Sequence, residues 1–281
     1  MTEKNSNPLS SYFRQPAIYI SLPSGGKHYP VGSLEVTENG EYPVLPMTAV
    51  DEIVYRTPDA LYNGQAVISV IESCMPNILN AWAMPACDID AVLTAIRIAS
   101  YGHEMEINTK CPKCSNENSY SIDLRIVLDG LKFSNYDEPV TVGDLQIFFK
   151  PMNFKNLNDN NSIQFEEQRL LQMLPDSQID HKEKLTRLQE AVKKITNLTV
   201  SALSQSIAVI HTPTATVSEP AHIEEFLKNS NRKMFGVIRD AIIERKQTSE
   251  LKPLPIECTE CGHKYEQTYT LNMTDFFEDA S

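Results

Sequence analysis

The chain lacks any uninterrupted apolar run approaching the roughly 20 residues that cross a bilayer, and its opening stretch, MTEKNSNPLSSYFRQP, has no apolar signal-peptide core. Neither a membrane anchor nor an export leader is expected, so a cytosol, or a particle assembled in one, is the default environment. Basic charge is also scarce. Lys and Arg number 25 against 37 Asp and Glu, a formal net charge of -12. A broad phosphate-binding face needs clustered cations, so the acidic balance argues against nucleic acid as a partner. Cysteine is sparse too, at six in 281 residues. Free thiols are the norm in a reducing compartment, which favours a metal site over a disulfide framework for any cysteines that fall in pairs.

Enough is present for a packed protein: hydrophobic residues make up 41% of the chain. A polar amino-terminal segment, residues 1–11, is expected to be flexible unless a partner orders it. Ile18 to Leu22 then reads as a short strand closed by the turn Pro23-Ser24-Gly25-Gly26. Gly25-Gly26-Lys27 lacks the GxxxxGK[ST] spacing that wraps amides around phosphate, so it is read as a structural turn or partner contact. Residues 34–45 read as a hairpin, with Leu34, Val36, Tyr42 and Val44 as strand formers around Asn39-Gly40. Pro43 is expected at an edge or bulge.

Helices are expected from Asp51-Glu52, from Pro58 through Ile71, and over residues 88–100, with Asp88 as the cap and Gly102 as the stop. His103 to Asn108 and the alternation of Tyr120, Ile122 and Leu124 read as paired strands, and residues 145–150 as another. Between 161 and 245 the period becomes helical. Phe165, Leu170, Leu171 and Leu174 form one stripe, and Leu185, Leu188, Val192 and Ile195 a second. An apolar run covers Val200 to Ile210, Glu219-Pro220 opens a further helix, and Phe235, Ile238 and Ile242 continue the pattern. Residues 246–255 read as a return linker.

Four of the six cysteines form two CxxC pairs, Cys111-Pro-Lys-Cys114 and Cys258-Thr-Glu-Cys261, separated by more than half the chain. Each pair follows an expected strand and precedes an alternating segment. Two such turns supply four soft ligands for one tetrahedral ion, the usual structural zinc arrangement, and leave no open coordination position for catalysis. Closing a long intervening loop costs little more than closing a short one. Zn2+ bound by Cys111, Cys114, Cys258 and Cys261 is therefore expected. Cys74 and Cys87 read as buried apolar residues, His103 and His263 as ordinary neighbours of the cysteine turns. His28, His181, His211 and His222 show no catalytic spacing, Glu224-Glu225 reads as solvated helix surface, and no nucleophile motif is present. No catalytic residues are assigned.

The expected fold is α+β: a mixed module over 12–150 with the first zinc knuckle, a mainly helical insertion and linker over 151–255, and a zinc-ribbon-like completion by the second knuckle over 256–281. Three stretches, YFRQPAIYISLPSGGKHYP, DIDAVLTAIRIASYGHEMEINTKCPKC and CTECGHKYEQTYTLNMTDFF, together resemble the T4-like phage baseplate protein family, which includes central hub and hub-assembly proteins of contractile tails. In that resemblance Leu22, Gly25, Gly26, Tyr29 and Pro30 match the amino-terminal signature, and the four cysteines carry the zinc-ribbon role.

The resemblance implies a non-enzymatic structural subunit of the baseplate hub, located in the virion tail and in the host cytoplasm during assembly. Hub or inner wedge proteins are the implied partners, with self-association as a further contact. A transient assembly chaperone absent from mature virions is the alternative, and a hydrolase the more distant one. Aromatic residues near both termini suit contacts across a neighbouring subunit.

Overall fold

The computed structural model describes residues 7–55, 64–132, 135–173, 180–249 and 251–267. The expected helix start at Pro58 to Leu61, Leu174, and the terminal residues Tyr269, Leu271 and Phe276-Phe277 lie outside them, as do residues 1–6. Described strands and helices alternate irregularly, and all strand pairings are antiparallel. The fold is thus mixed, as the sequence implies.

The first core gathers around α3 (Ala86–Tyr101). Its Ile89, Val92, Leu93 and Ile96 are buried, as are Asp88, Thr94 and Arg97. Burial on so many sides marks a central helix rather than a surface one. Gly102 ends it at φ 93°, with its N–H donating to Ile98 O at 3.0 Å. Packed around it are α1 (Ala49–Tyr55), α2 (Gln65–Cys74), α4 (Leu124–Gly130) and a two-stranded sheet of β1 (Ile18–Ser21) and β2 (Glu41–Val44).

The pairing of β1 with β2 corrects the expected hairpin over 34–45. Only its second half is a strand, and that strand pairs Tyr42 with Ile20 rather than with residues 34–36. Leu34 instead makes an isolated bridge to Ile78. The reason is burial: Ile20, Tyr42 and Val44 face the core together, while Val36 stays exposed. Pro43 sits opposite Tyr19 in a sheet that has two strands among the described residues, where its missing donor is tolerated.

Arg14 ties the amino-terminal segment onto this core. Its Nη1 donates to Pro46 O at 2.7 Å and to Asp51 at 3.1 Å, and its Nη2 to Ser73 O at 2.7 Å. Asp51 also accepts from Thr48 N at 2.7 Å.

A four-stranded sheet carries the second core, in the order β5 (Val140–Val142), β6 (Leu145–Phe149), β7 (Ile207–His211), β8 (Thr216–Val217). Ile147, Phe149, Ile207 and Ile210 meet Ile223 and Leu227 of α7 (Pro220–Asn229) and Ile238 of α8 (Arg232–Ser249) there. Residue 150, the expected module boundary, falls between β6 and β7, which are neighbours in this sheet. The apolar run from Val200 to Ile210 is not one element: it spans the end of a helix and β7. Pro220 opens α7 in its first turn, as expected. The expected linker at 246–255 is shorter, because α8 continues to Ser249.

Between β6 and β7 the chain leaves the sheet as two helices, α5 (Phe154–Met173) and α6 (His181–Gln205). They run antiparallel. Asn160 Nδ2 of α5 meets Gln205 Oε1 of α6 at 3.2 Å, and Lys194 Nζ of α6 meets Glu167 Oε1 of α5 at 2.8 Å. Asp180 caps α6 by accepting from Lys182 N.

Candidate metal centre

The cysteine pairs sit on two hairpins drawn from opposite ends of the chain. β3 (Glu104–Lys110) leads into Cys111 and returns as β4 (Glu117–Asp123); β9 (Leu254–Glu257) leads into Cys258 and returns as β10 (Lys264–Gln267). The hairpins form separate two-stranded sheets, joined by side chains. Tyr120 OH donates to Glu257 O at 2.8 Å, and Thr109 Oγ1 to Gln267 Oε1 at 2.7 Å.

The two turns share one backbone design. Cys111 N donates to Asn116 O at 2.9 Å, and Cys258 N to His263 O at 2.9 Å. Ser115 N closes back on Cys111 O at 2.9 Å, and Gly262 N on Cys258 O at 3.0 Å. The residue after the second cysteine takes positive φ in both, 61° at Ser115 and 63° at Gly262. Glycine adopts that conformation freely, whereas serine strains at Cβ. Ser115→Gly is therefore expected to raise stability by about 1 kcal/mol in chemical denaturation, and Gly262→Ala to lower it by a similar amount.

All four sulfurs lie within 4.8 Å of one another. Cys111 Sγ is 3.8 Å from Cys261 Sγ, and Cys114 Sγ is 3.6 Å from Cys258 Sγ. A tetrahedron with metal–sulfur bonds of about 2.3 Å has edges of about 3.8 Å, so the cluster has the dimensions of a tetrathiolate site. Cys111 and Cys258 are buried, Cys261 is half-buried and Cys114 is exposed.

Proton affinities diverge across the cluster. The Cys258 thiol is held down to about 6, chiefly by the Cys261 backbone amide, against the cost of desolvation. Cys114 goes the other way. The Asn116 amide lowers it, but desolvation and the sulfurs of Cys261, Cys111 and Cys258 together push it up to about 12. Four adjacent thiols cannot all become thiolates without a cation to offset their mutual repulsion.

Asn118 is a site residue that the sequence reading missed. It is buried, and its Oδ1 accepts from Thr259 N at 3.2 Å and Thr259 Oγ1 at 2.7 Å, so one side chain of β4 locks onto the opposite knuckle. Its Nδ2 donates to Asn116 O at 3.1 Å and lies 3.7 Å from Cys258 Sγ. A polar residue on the inward face of a strand next to a cysteine turn was the available signal. His103 and His263 contribute backbone carbonyls, to Leu124 N and Cys258 N, rather than ligands to the sulfur cluster.

The other two cysteines are buried in the first core's surroundings, and burial pushes the Cys74 thiol up to about 12. That is the behaviour of packed, unreactive thiols.

The amino-terminal signature closes on α3. Leu22 is buried, and Gly25 N turns back to Leu22 O at 2.8 Å. Gly25 and Gly26 have φ of 62° and 77°, and a Cβ at Gly26 would stand 3.0 Å from Tyr42 OH. Asp88 receives the loop: it accepts from Ser24 N at 2.8 Å, from Ser24 Oγ, and from Tyr29 OH at 3.0 Å. This corrects its expected role. Helix α3 begins at Ala86, so Asp88 lies inside the first turn and clamps a distant loop instead of capping the helix end. Pro30 O accepts from Ser33 N at 3.0 Å, ending the loop.

No helix among the described residues is long and apolar enough to cross a membrane. No curated protein and no solved structure matches the chain. A family model described as T4 bacteriophage base plate protein matches residues 18–278, a span that contains the signature loop, its Asp88 clamp and both cysteine knuckles, and the chain belongs to that family.

Proposed function

We propose that the chain is a zinc-stabilised structural subunit of a contractile-tail baseplate hub, acting through protein–protein contacts with hub or inner wedge proteins. The observation that carries this reading is the family match over residues 18–278, which spans both halves of the sulfur cluster. Zn2+ suits the site because four thiolates at tetrahedral spacing satisfy a closed structural centre without an open position for substrate. Held there by Cys111, Cys114, Cys258 and Cys261, the ion would fasten the end of the chain to its middle. The hairpins could then resist load as one unit.

Residues 12–150 and 256–281 are read as the mixed module that the ion completes, with the α5–α6 excursion reaching toward other subunits. Leu22, Gly25, Gly26, Tyr29 and Pro30 shape the signature loop, whose exposed neighbours Tyr12, Phe13 and Tyr19 offer aromatic surface to a partner. The working location is the virion tail, after assembly in the host cytoplasm. Cryo-electron microscopy of purified mature tails tests the reading. Density for this chain at fixed stoichiometry beside the hub is expected. Its confinement to assembly intermediates would overturn the structural role in favour of an assembly factor.

A further inference from the structure

The α5–α6 hairpin has almost no interior of its own. Among described residues 161–173 and 180–199, the buried ones are Glu167 and Ala191. Over the same stretch Ile163, Leu170, Met173, Leu185, Leu188 and Val192 are exposed, each by more than two-fifths. Helices in folded proteins draw most of their stability from packing an apolar face, and here Ala191 with the half-buried Leu171, Ile195 and Leu198 leaves much of the arm's apolar surface uncovered. The arm therefore has surface built for something else to cover.

Apart from Phe165, which is exposed on another side of α5, the exposed apolar residues form two stripes with different directions. On α6, Leu185, Leu188, Val192 and Ile195 follow the 3-4-3 spacing of a coiled-coil seam. On α5, Ile163, Leu170 and Met173 keep the matching 7-3 spacing. The contacts between the helices fix which side faces inward: Glu167 and Asn160 on α5, and Ala191, Lys194 and Gln205 on α6. At about 100° per residue, each stripe is turned by roughly a quarter circle from its inward side. Because the helices are antiparallel right-handed screws, those turns carry the stripes to opposite faces of the hairpin.

Charge distinguishes the two helices. Helix α5 carries three acids and two bases, whereas α6 carries five bases and two acids in a chain whose net charge is -12. Pairing α6 with another α6 would oppose like charge. Pairing it with α5 would not.

We propose that the hairpin is a head-to-tail self-assembly element, in which the α6 stripe of one copy packs on the α5 stripe of the next. A heterologous contact of this kind leaves one free face at each end of a row until the copies close into a ring. The occupant of each stripe is the complementary stripe of another copy of this chain. The inference concerns the chain alone and stands or falls separately from its place in the baseplate.

Sedimentation of the purified, zinc-loaded full chain at tens of micromolar tests it. A discrete species larger than one chain is expected. The paired substitutions Leu188→Glu with Val192→Glu, and Leu170→Glu with Met173→Glu, should each weaken association at least tenfold. An equimolar mixture of the two variants should recover a two-chain complex, because each retains the face that the other has lost. Should glutamate unwind the arm, alanine at the same positions preserves helix propensity and reads the same contact. A monomeric wild type overturns the proposal. So does an assembly that survives the α5 change and is lost only with the α6 change, since that outcome means like-with-like pairing.

Discussion

Replacing Cys258 with serine is expected to abolish stoichiometric metal binding and release the carboxy-terminal hairpin from the β3–β4 hairpin. Cys258 is buried, faces Cys114 Sγ at 3.6 Å and lies against Asn118, so its loss opens the side of the cluster that holds the two knuckles together. Structural zinc in small peptides contributes apparent binding free energies of about 10–16 kcal/mol, which couple directly to folding. Even a third of that would lower a thermal midpoint by roughly 10 °C in a protein of this size.

The loss should be local in origin. The apolar clusters around α3 and beneath the four-stranded sheet do not include the sulfur ligands, so their helices should persist while amide protection falls over residues 104–123 and 254–267. Hydrogen exchange with and without a chelator checks this. Uniform loss of protection across both apolar cores would contradict it.

Asp88→Ala is the second large effect, with an expected cost of about 3 kcal/mol. The substitution strands Ser24 N–H and removes the acceptor of Tyr29 OH in a site closed to water. Asp88→Asn separates charge from hydrogen bonding. An asparagine oxygen can still accept from Ser24 N, so this variant should lie within about 1 kcal/mol of wild type at neutral pH.

The two variants also read a pH effect whose sign follows from burial. Desolvation raises the Asp88 carboxyl to about 6, although hydrogen bonds from Ser24 and Tyr29 pull it the other way. The unfolded value is about 3.9. Below that, both states hold the proton. Between about 4 and 6 the unfolded chain releases it while the folded chain keeps it, so the folded state binds more protons and stability falls as pH rises. Above about 6 the contribution is flat. The full excursion is about 3 kcal/mol, and denaturation midpoints of wild type minus Asp88→Asn across that window should trace it. A difference independent of pH would show that the carboxyl is not held in its protonated form by burial.

Local periodicity carried much of the fold. The strands around the first knuckle are legible because Met105 and Ile107 alternate with polar residues and face Ile122 and Tyr120 across the ladder. Helices α3 and α6 announce themselves by spacing, and the cysteine knuckles by residue type alone. What stayed hidden depended on partners remote in sequence. Ile18–Ser21 and Glu41–Val44 are each too short to specify a mate, and the mistaken hairpin arose because Asn39-Gly40 is a strong local turn signal. Strand β7 was masked because Val200 and Leu203 of α6 run into Ile207, Val209 and Ile210 with no glycine or proline between them.

The polar devices were hidden for a related reason. Asp88 looks like a helix cap because carboxylates favour helix starts, and nothing nearby in sequence indicates that Ser24 and Tyr29 will reach it. Asn118 binds Thr259, 141 residues away. Arg14 similarly meets Asp51 and Ser73 only after folding. Such long-range side-chain bonds leave no periodic trace. The sulfur cluster is an exception because its chemistry requires a specific residue at each of four positions.

X-ray absorption at the zinc edge of the purified chain, paired with metal analysis, is the most direct measurement. One zinc per chain with a shell of four sulfurs at about 2.3 Å is predicted. A folded, fully reduced protein that binds no zinc, or binds it through nitrogen or oxygen in place of any of the four thiolates, would contradict the account.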